Sequence, residues 1–378
     1  MDRFKWQFGK NGVVIENRSF MKYEILLTDN CNLSCSYCYQ RYKNNGKVMS
    51  RETLLKTLDR LFLDAIPNQN RQDVKLIFCG GEALTQPGLI DLAMTYIGEK
   101  YLPALDRKIR ISVLTNGTLL GSPEVQKVLL KHPKLDVSVS FDGIEEAQNA
   151  SRGEFDLVSK NIKEITRVRG KKPMVLMTVA PDAAKHLVES VKYIVNELGI
   201  EEIWMNAVVD DLRWIEDDEY ANNLYQGLCG IADFMTLPGN EEVWCNAFDP
   251  THFVPVSANA PICGALGGQM IFTPEGELFP CYTCRNPQVI GKVNYRIGDI
   301  RNWIDVEKYA EVRTCTLGTT KGLEDCVNCD IGSGCRRCFS WFAGLYGNMR
   351  EGNTAFCKVH HAKYWAFQYL YKKRSERV

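Results

Sequence analysis

From Lys22 to about Asp210, short apolar runs alternate with amphipathic stretches. The runs are Tyr23–Thr28 (YEILLT), Val74–Cys79 (VKLIFC), Arg110–Thr115 (RISVLT), Leu135–Asp142 (LDVSVSFD), Met174–Val179 (MVLMTV) and Ile200–Val209 (IEEIWMNAVV), and their lengths predict six strands. Between them, ETLLKTLDRLFLDAI and LVESVKYIVNELG place apolar residues at i, i+3, i+4 and i+7, the period of a helix with one buried face. Six βα units predict an α/β fold over residues 22–218, a parallel sheet or an open, partial (β/α)6 TIM-like barrel, with functional groups at the C-terminal strand ends. Residues 1–21 form an N-terminal extension. The pattern then changes: residues 219–254 form a helical bridge, with a helix from about Tyr220 to Met235, and residues 255–378 a small irregular domain rich in Pro, Gly and Cys. Its irregularity suits a fold held by metal rather than by a large core. The aromatic stretch from His360 predicts a closing helix that docks back, followed by a basic tail.

Composition narrows the chemistry. Lys and Arg number 46 and Asp and Glu 46 in 378 residues, so no net field draws a polyanion or an anionic membrane. Nucleic acid is therefore not an expected partner. The start, MDRFKWQFGKNG, has no apolar signal core, and no run of 18 apolar residues occurs, so neither secretion nor a membrane partner is expected. A cytoplasmic setting follows, where thiols stay reduced. The 15 cysteines then point to metal or redox chemistry rather than disulfides.

Cys31, Cys35 and Cys38 follow the first strand in TDNCNLSCSYCYQ, a C-x3-C-x2-C arrangement. Three thiolates on one tight loop can hold three irons of a four-iron cluster and leave the fourth open to substrate. Structural zinc normally uses paired C-x2-C units with a closed fourth position, which this loop lacks. The loop resembles the C-x3-C-x-aromatic-C signature of radical S-adenosylmethionine (radical SAM) enzymes, with Tyr37 as the aromatic residue. Further strand ends extend the resemblance. Gly80-Gly81-Glu82 ends the second run where the family has Gly-Gly-Glu-Pro, with Ala83 in place of the proline. Thr115-Asn116 ends the third, in the family's ribose-side segment, and Ser140 ends the fourth, with Arg152 twelve residues on. The resemblance implies that the glycines admit the methionyl amino group of SAM, that Glu82 accepts its hydrogen bonds, and that Arg152 meets the SAM carboxylate. Gln148 stands where many relatives have histidine, and nothing is carried over to it. The implied chemistry is one-electron cleavage of SAM to methionine and a deoxyadenosyl radical, which takes hydrogen from an unactivated carbon inside a barrel that excludes water.

The C-terminal cysteines, Cys263, Cys281, Cys326, Cys329, Cys335, Cys338 and Cys357, resemble the seven-cysteine SPASM domain of such enzymes, with a spacing of two rather than three residues between Cys335 and Cys338. Zinc ribbons are the alternative reading of the same cysteines. The SPASM resemblance implies two auxiliary 4Fe-4S clusters, hence three in all. Cys263, Cys281 and Cys338 would hold the first, and Cys326, Cys329, Cys335 and Cys357 the second. The first then has an open iron or an extra thiolate, with Cys284 the nearest candidate and Cys245 and Cys315 outsiders. Cys79, Cys229 and Cys315 read as small buried hydrophobes, and the five histidines, His132, His186, His252, His360 and His361, as surface or loop residues.

SPASM-bearing relatives mostly modify peptides and proteins. The expected activity is a radical SAM oxidoreductase and peptide maturase that forms a thioether or carbon–carbon cross-link in a ribosomal peptide. Its expected partners are a precursor peptide or protein and an electron donor such as flavodoxin or ferredoxin; because only about 20 residues precede the first strand, a leader would need a separate leader-binding protein or a groove on the barrel itself. Two enzymatic alternatives stand beside it: a sugar or nucleoside dehydrogenase or decarboxylase, and sulfatase maturation by formylglycine formation. The last is weakened because Tyr282 occupies the position of the sulfatase-maturase base, and a tyrosine of ordinary pKa near ~10 is a poor base at neutral pH. Outside the enzymes, a non-catalytic zinc or iron–sulfur binding protein is the remaining alternative.

Overall fold

The computed structural model describes residues 8–9, 12–13, 20–40, 44–67, 73–104, 109–208, 218–286, 289, 291–335 and 337–376. Most of the N-terminal extension, Val209 and the last two residues of the basic tail lie outside the described residues. The six apolar runs are strands: β1 (Phe20–Leu26), β2 (Asp73–Cys79), β3 (Ile109–Thr115), β4 (Leu135–Ser140), β5 (Met174–Val179) and β6 (Glu202–Ala207). They pair in parallel in sequence order. Helices α1 (Arg51–Arg60), α2 (Pro87–Lys100), α3 (Pro123–Lys131), α4 (Glu145–Asn149), α5 (Phe155–Arg169) and α6 (Leu187–Asn196) lie among the crossovers. Local chemistry sets their ends. Ser50 caps α1 by accepting from the Thr53 amide at 3.0 Å, Pro87 and Pro123 open α2 and α3, and Gly170 closes α5 in the left-handed region at φ 60°.

Alternation along the strands separates two faces. Ile111, Val113, Val175, Met177, Ile203 and Met205 are buried beneath the helices, while Ser112, Leu114, Leu176, Thr178, Trp204 and Asn206 between them are half-buried. The inner face is therefore partly open. The Lys75 ammonium of β2 lies 5.5 Å from the Trp204 ring centroid of β6, so side chains four strands apart in the sheet meet across the interior. That contact marks the curl of the sheet into a barrel.

The C-terminal region extends the same sheet. After α7 (Asp218–Met235), β7 (Trp244–Cys245) pairs in parallel with β6. At the opposite edge β8 (Gln269–Phe272) pairs in parallel with β1, matching Gln269 to Lys22 and Phe272 to Ile25. β9 (Glu277–Phe279), β10 (Gly298–Asp299) and β11 (Trp303–Ile304) continue outward as an antiparallel meander. The rest is mostly irregular, apart from α8 (Val306–Arg313), α9 (Phe339–Tyr346) and α10 (Cys357–Ser375). α10 docks on α7: Tyr369 donates to Asp233 at 3.0 Å, Lys373 pairs with the same carboxylate, and Trp365 meets Tyr225 edge to face.

The histidine reading needs correction. His360 lies on α10, 2% exposed, whereas His132 sits in the loop after α3, as expected, and pairs with Asp91 at 2.7 Å. A helix that is apolar on its docking face buries whatever polar residue falls in register there. Cys79 and Cys315 are buried as expected, while Cys229 is half-buried on α7.

Candidate active site

The register of β1 on β2 places Leu26 opposite Cys79, so the cysteine loop leaves the sheet beside the Gly-Gly-Glu turn. The Gly81 amide donates to Thr28 O and the Glu82 amide to Asn30 O, both at 2.8 Å. A Cβ on Gly80 would stand 2.4 Å from Thr28 O, and one on Gly81 2.3 Å from Asn30 O. The two glycines are therefore required first by the chain itself, because the cysteine loop's backbone crosses directly over them. The Glu82 carboxylate, 1% exposed, accepts from the Leu84 amide at 2.9 Å, Thr115 Oγ1 at 2.7 Å and the Asn116 amide at 2.7 Å. Burial lifts its pKa above the usual carboxylate range, and those three donors oppose the rise. It clamps the end of β2 to the end of β3.

Asn116 reaches the loop itself. Its amide donates to Asn32 Oδ1 at 2.9 Å and lies 3.9 Å from Cys31 Sγ. Tyr37 points the other way, donating to Asp142 Oδ2, which also accepts from Arg152 Nε at 2.9 Å. The Arg152 guanidinium lies 5.1 Å from the Tyr37 ring centroid and donates to Thr178 Oγ1 at 3.2 Å. Asp142 Oδ1 accepts from the Thr178 amide at 2.8 Å, and the Asp142 amide donates to Gln148 Oε1 at 2.8 Å. Asp142 is fully buried and thus a hub joining the cysteine loop, β4 and β5. Burial pulls the Arg152 pKa down, but Asp142, Tyr37 and Cys35 more than reverse this, and the guanidinium stays charged. Ser140 is half-buried at the same strand end, and its hydroxyl makes no hydrogen bond among the described residues.

Two further sets of thiols form in the C-terminal region. Cys284 senses the charges of Cys281, Cys338 and Cys263, after burial, which pushes its thiol well above the usual range. A hydroxyl chain runs from Cys281 Sγ to Thr283 Oγ1 (3.3 Å), on to Ser340 Oγ (2.5 Å) and to Cys338 Sγ (3.3 Å). Cys263, Cys281, Cys284 and Cys338 are thus neighbours. Cys335 is pushed up to about 12 by burial and senses Cys357, Cys326 and Cys329, which gives the second set. The Arg337 side chain, 6% exposed, donates to Gly332 O at 2.6 Å and Ile262 O at 3.4 Å, so it spans the gap between the two sets. Cys245 lies on β7 with Lys363 as its charged neighbour, outside both.

Among the described residues, no three His, Cys, Asp or Glu side chains converge as a single ion requires. A four-iron cluster places each thiolate on a different iron, and the donor sets, three cysteines and twice four, fit that group. Tyr39, one residue beyond Cys38, stacks on Tyr282 with centroids 4.1 Å apart. Arg285 grips Asp29 through two bonds of 2.8 and 2.9 Å, both groups buried. The loop bearing Cys31 and the turn bearing Cys281 and Cys284 are therefore fastened together. Asp29, Asn32, Tyr39, Thr178 and Arg285 were not legible as site residues. Asp142 ended a predicted strand with no role, and Asp29 and Arg285, 256 positions apart, carry no local signal.

The sequence profile described as the radical SAM superfamily matches residues 25–194. The chain is 20% identical over 364 residues to the radical SAM cyclopropyl synthase TigE of Paramaledivibacter caminithermalis, covering 89% of this chain and 71% of TigE. It spans about half the length of other curated relatives. Among solved structures it resembles anSMEcpe with bound AdoMet (TM-score 0.70, 20% identity, 93% of this chain and 98% of that one). It also resembles Streptococcus suis SuiB bound to its precursor peptide SuiA (TM-score 0.63, 16% identity, 90% and 76%). The profile match, the strand-end residues and the shared fold lead to one conclusion: residues 25–194 form a radical SAM domain, and the C-terminal cysteine region is consistent with a SPASM domain.

Proposed function

We propose that this enzyme carries out an oxidative modification of a precursor peptide, forming a thioether or carbon–carbon cross-link. The observation that carries the reading is the joining of the Cys31 loop to the Cys281–Cys284 turn, by the Tyr39–Tyr282 stack and the Asp29–Arg285 pair, at the rim of a half-open inner sheet face. A radical-generating centre fastened beside an electron-accepting centre suits a reaction that removes two electrons from a substrate. The SuiB complex with the precursor peptide SuiA, whose fold this chain shares, favours a peptide occupant.

When bound, SAM and its cluster supply a carbon-centred radical on receipt of one electron from a flavodoxin or ferredoxin. The chain's own part is to hold and exclude. Cys31, Cys35 and Cys38 hold the first cluster. Gly80 and Gly81 keep the wall thin, Glu82 and Asn116 fix the β2 and β3 ends, and Arg152 would meet the SAM carboxylate, with Ser140 among the groups that would line the SAM site. Cys263, Cys281, Cys284 and Cys338 hold one auxiliary cluster, and Cys326, Cys329, Cys335 and Cys357 the other, for three 4Fe-4S clusters in all. Tyr282, with its ring stacked on Tyr39, occupies the sequence position of the carboxylate base of sulfatase maturases.

Anaerobic reconstitution with dithionite and SAM tests the proposal. Deoxyadenosine should be released, and release should rise with a candidate precursor peptide, which loses two hydrogens by mass. Replacing Cys31, Cys35 and Cys38 with Ala should leave roughly eight of about twelve irons and abolish cleavage. Release that rises only with a sugar or nucleoside would overturn the peptide assignment.

A further inference from the structure

Tyr295 lies between β9 and β10, is 0% exposed, and its hydroxyl has no hydrogen-bond partner among the described residues. Its ring stands edge-on to Phe339, 5.2 Å between centroids at 85°, and Phe339 directly follows Cys338. After burial, the charges its hydroxyl senses are those of Cys284, Cys315 and Cys338, and last that of Glu311. A buried phenol without a partner is costly, and such a group in a native fold implies a partner from outside the chain. Here the phenol's neighbours include the Phe339 ring and the thiols, and Glu311 makes no hydrogen bond with it. The phenol is also a poor base this deep in the protein, so donation is the role left to it.

We propose that the Tyr295 hydroxyl donates a hydrogen bond to a sulfur of the cluster held by Cys263, Cys281, Cys284 and Cys338, and thereby raises that cluster's reduction potential. The inference rests on the proposed cluster assignment. A donor to sulfur stabilises the reduced state, which carries the extra negative charge, more than the oxidised one. Tyr295 is a positioning residue that touches no substrate. Its effect is to make this cluster a better acceptor for an electron leaving a substrate radical.

The test compares the anaerobically reconstituted full chain with Tyr295→Phe by EPR-monitored redox titration. At a fixed potential, the reduced-to-oxidised ratio of this cluster should fall about tenfold in the variant, a downward shift of about 59 mV for one electron. The other two clusters should titrate unchanged. After exchange into D2O, pulsed double resonance should find a deuteron coupled to this cluster that is missing in Tyr295→Phe, and 3-fluorotyrosine at position 295, a stronger acid, should shift the potential upward. Apo Tyr295→Phe should melt no lower than apo wild type, because it sheds an unsatisfied hydroxyl. If Cys284→Ala and Cys338→Ala leave the wild-type iron content unchanged, the cluster assignment itself fails. If they lower it but Tyr295→Phe titrates like wild type, or the coupled deuteron survives as a bound water would, the cluster stands and the role of Tyr295 is overturned.

Discussion

Asp142 shows how one side chain organises a radical SAM site. Both its oxygens and its amide are committed, to Tyr37, Arg152, Thr178 and Gln148. Asp142→Asn would leave a buried guanidinium without its counter-charge, a loss of about 3 kcal/mol. The thermal midpoint of the anaerobic protein should fall accordingly, and the affinity for SAM should weaken, measured by equilibrium dialysis. A midpoint equal to wild type would remove Asp142 as the hub. The role was illegible in the sequence because an aspartate after a strand reads equally well as a cap. Cys284 is the opposite case, since its closeness in sequence to Cys281 already marked it as the nearest spare thiol. Cys284→Ala should lower the iron content by about one to four atoms, depending on whether one iron or the whole cluster departs, while Cys245→Ala should change nothing. Iron assay together with EPR separates the two.

At the scale of elements, the six strands were legible because each apolar run has the length and β-branched content of a strand buried between layers, and the observed ends differ from the runs by a few residues. The edge strand β8 was not. Its four residues, Gln269–Phe272, are all buried and show no alternation that would set them apart from irregular chain. The fastening of the Cys31 loop to the Cys281–Cys284 turn was equally hidden, resting on Asp29 and Arg285. Asp29→Ala should cost about 3–5 kcal/mol and release iron from the first cluster as well, although Asp29 ligates nothing. Pairing Asp29→Leu with Arg285→Met should restore stability beyond either single change, because apolar residues of similar size remove both buried charges. Urea denaturation of the four proteins gives the coupling. Additive losses would mean that the pair does not fasten the two loops.

The molecule as a whole divides by what holds it together. One hydrophobic core runs from Met21 to Leu370, but the barrel half is built of regular strands and helices, whereas the region from Pro261 to Cys357 is mostly irregular and carries eight of the cysteines assigned to clusters. Stripping iron with a chelator under reducing conditions should therefore raise hydrogen exchange and proteolysis first in residues 261–357, with the β2–β5 amides still protected. Equal loss of protection in both halves would contradict that division. The pairing of Gln269–Phe272 with Lys22–Ile25 has a temporal consequence. The ribosome makes the first strand some two hundred and fifty residues before its outer neighbour. Until then one edge of Phe20–Leu26 has no partner, and three oxygen-sensitive thiols hang from a strand that is not yet enclosed. Stable loading of the first cluster thus belongs after translation has passed Phe272, and a chain truncated before that point should collect in aggregates rather than accumulate as a working half-enzyme.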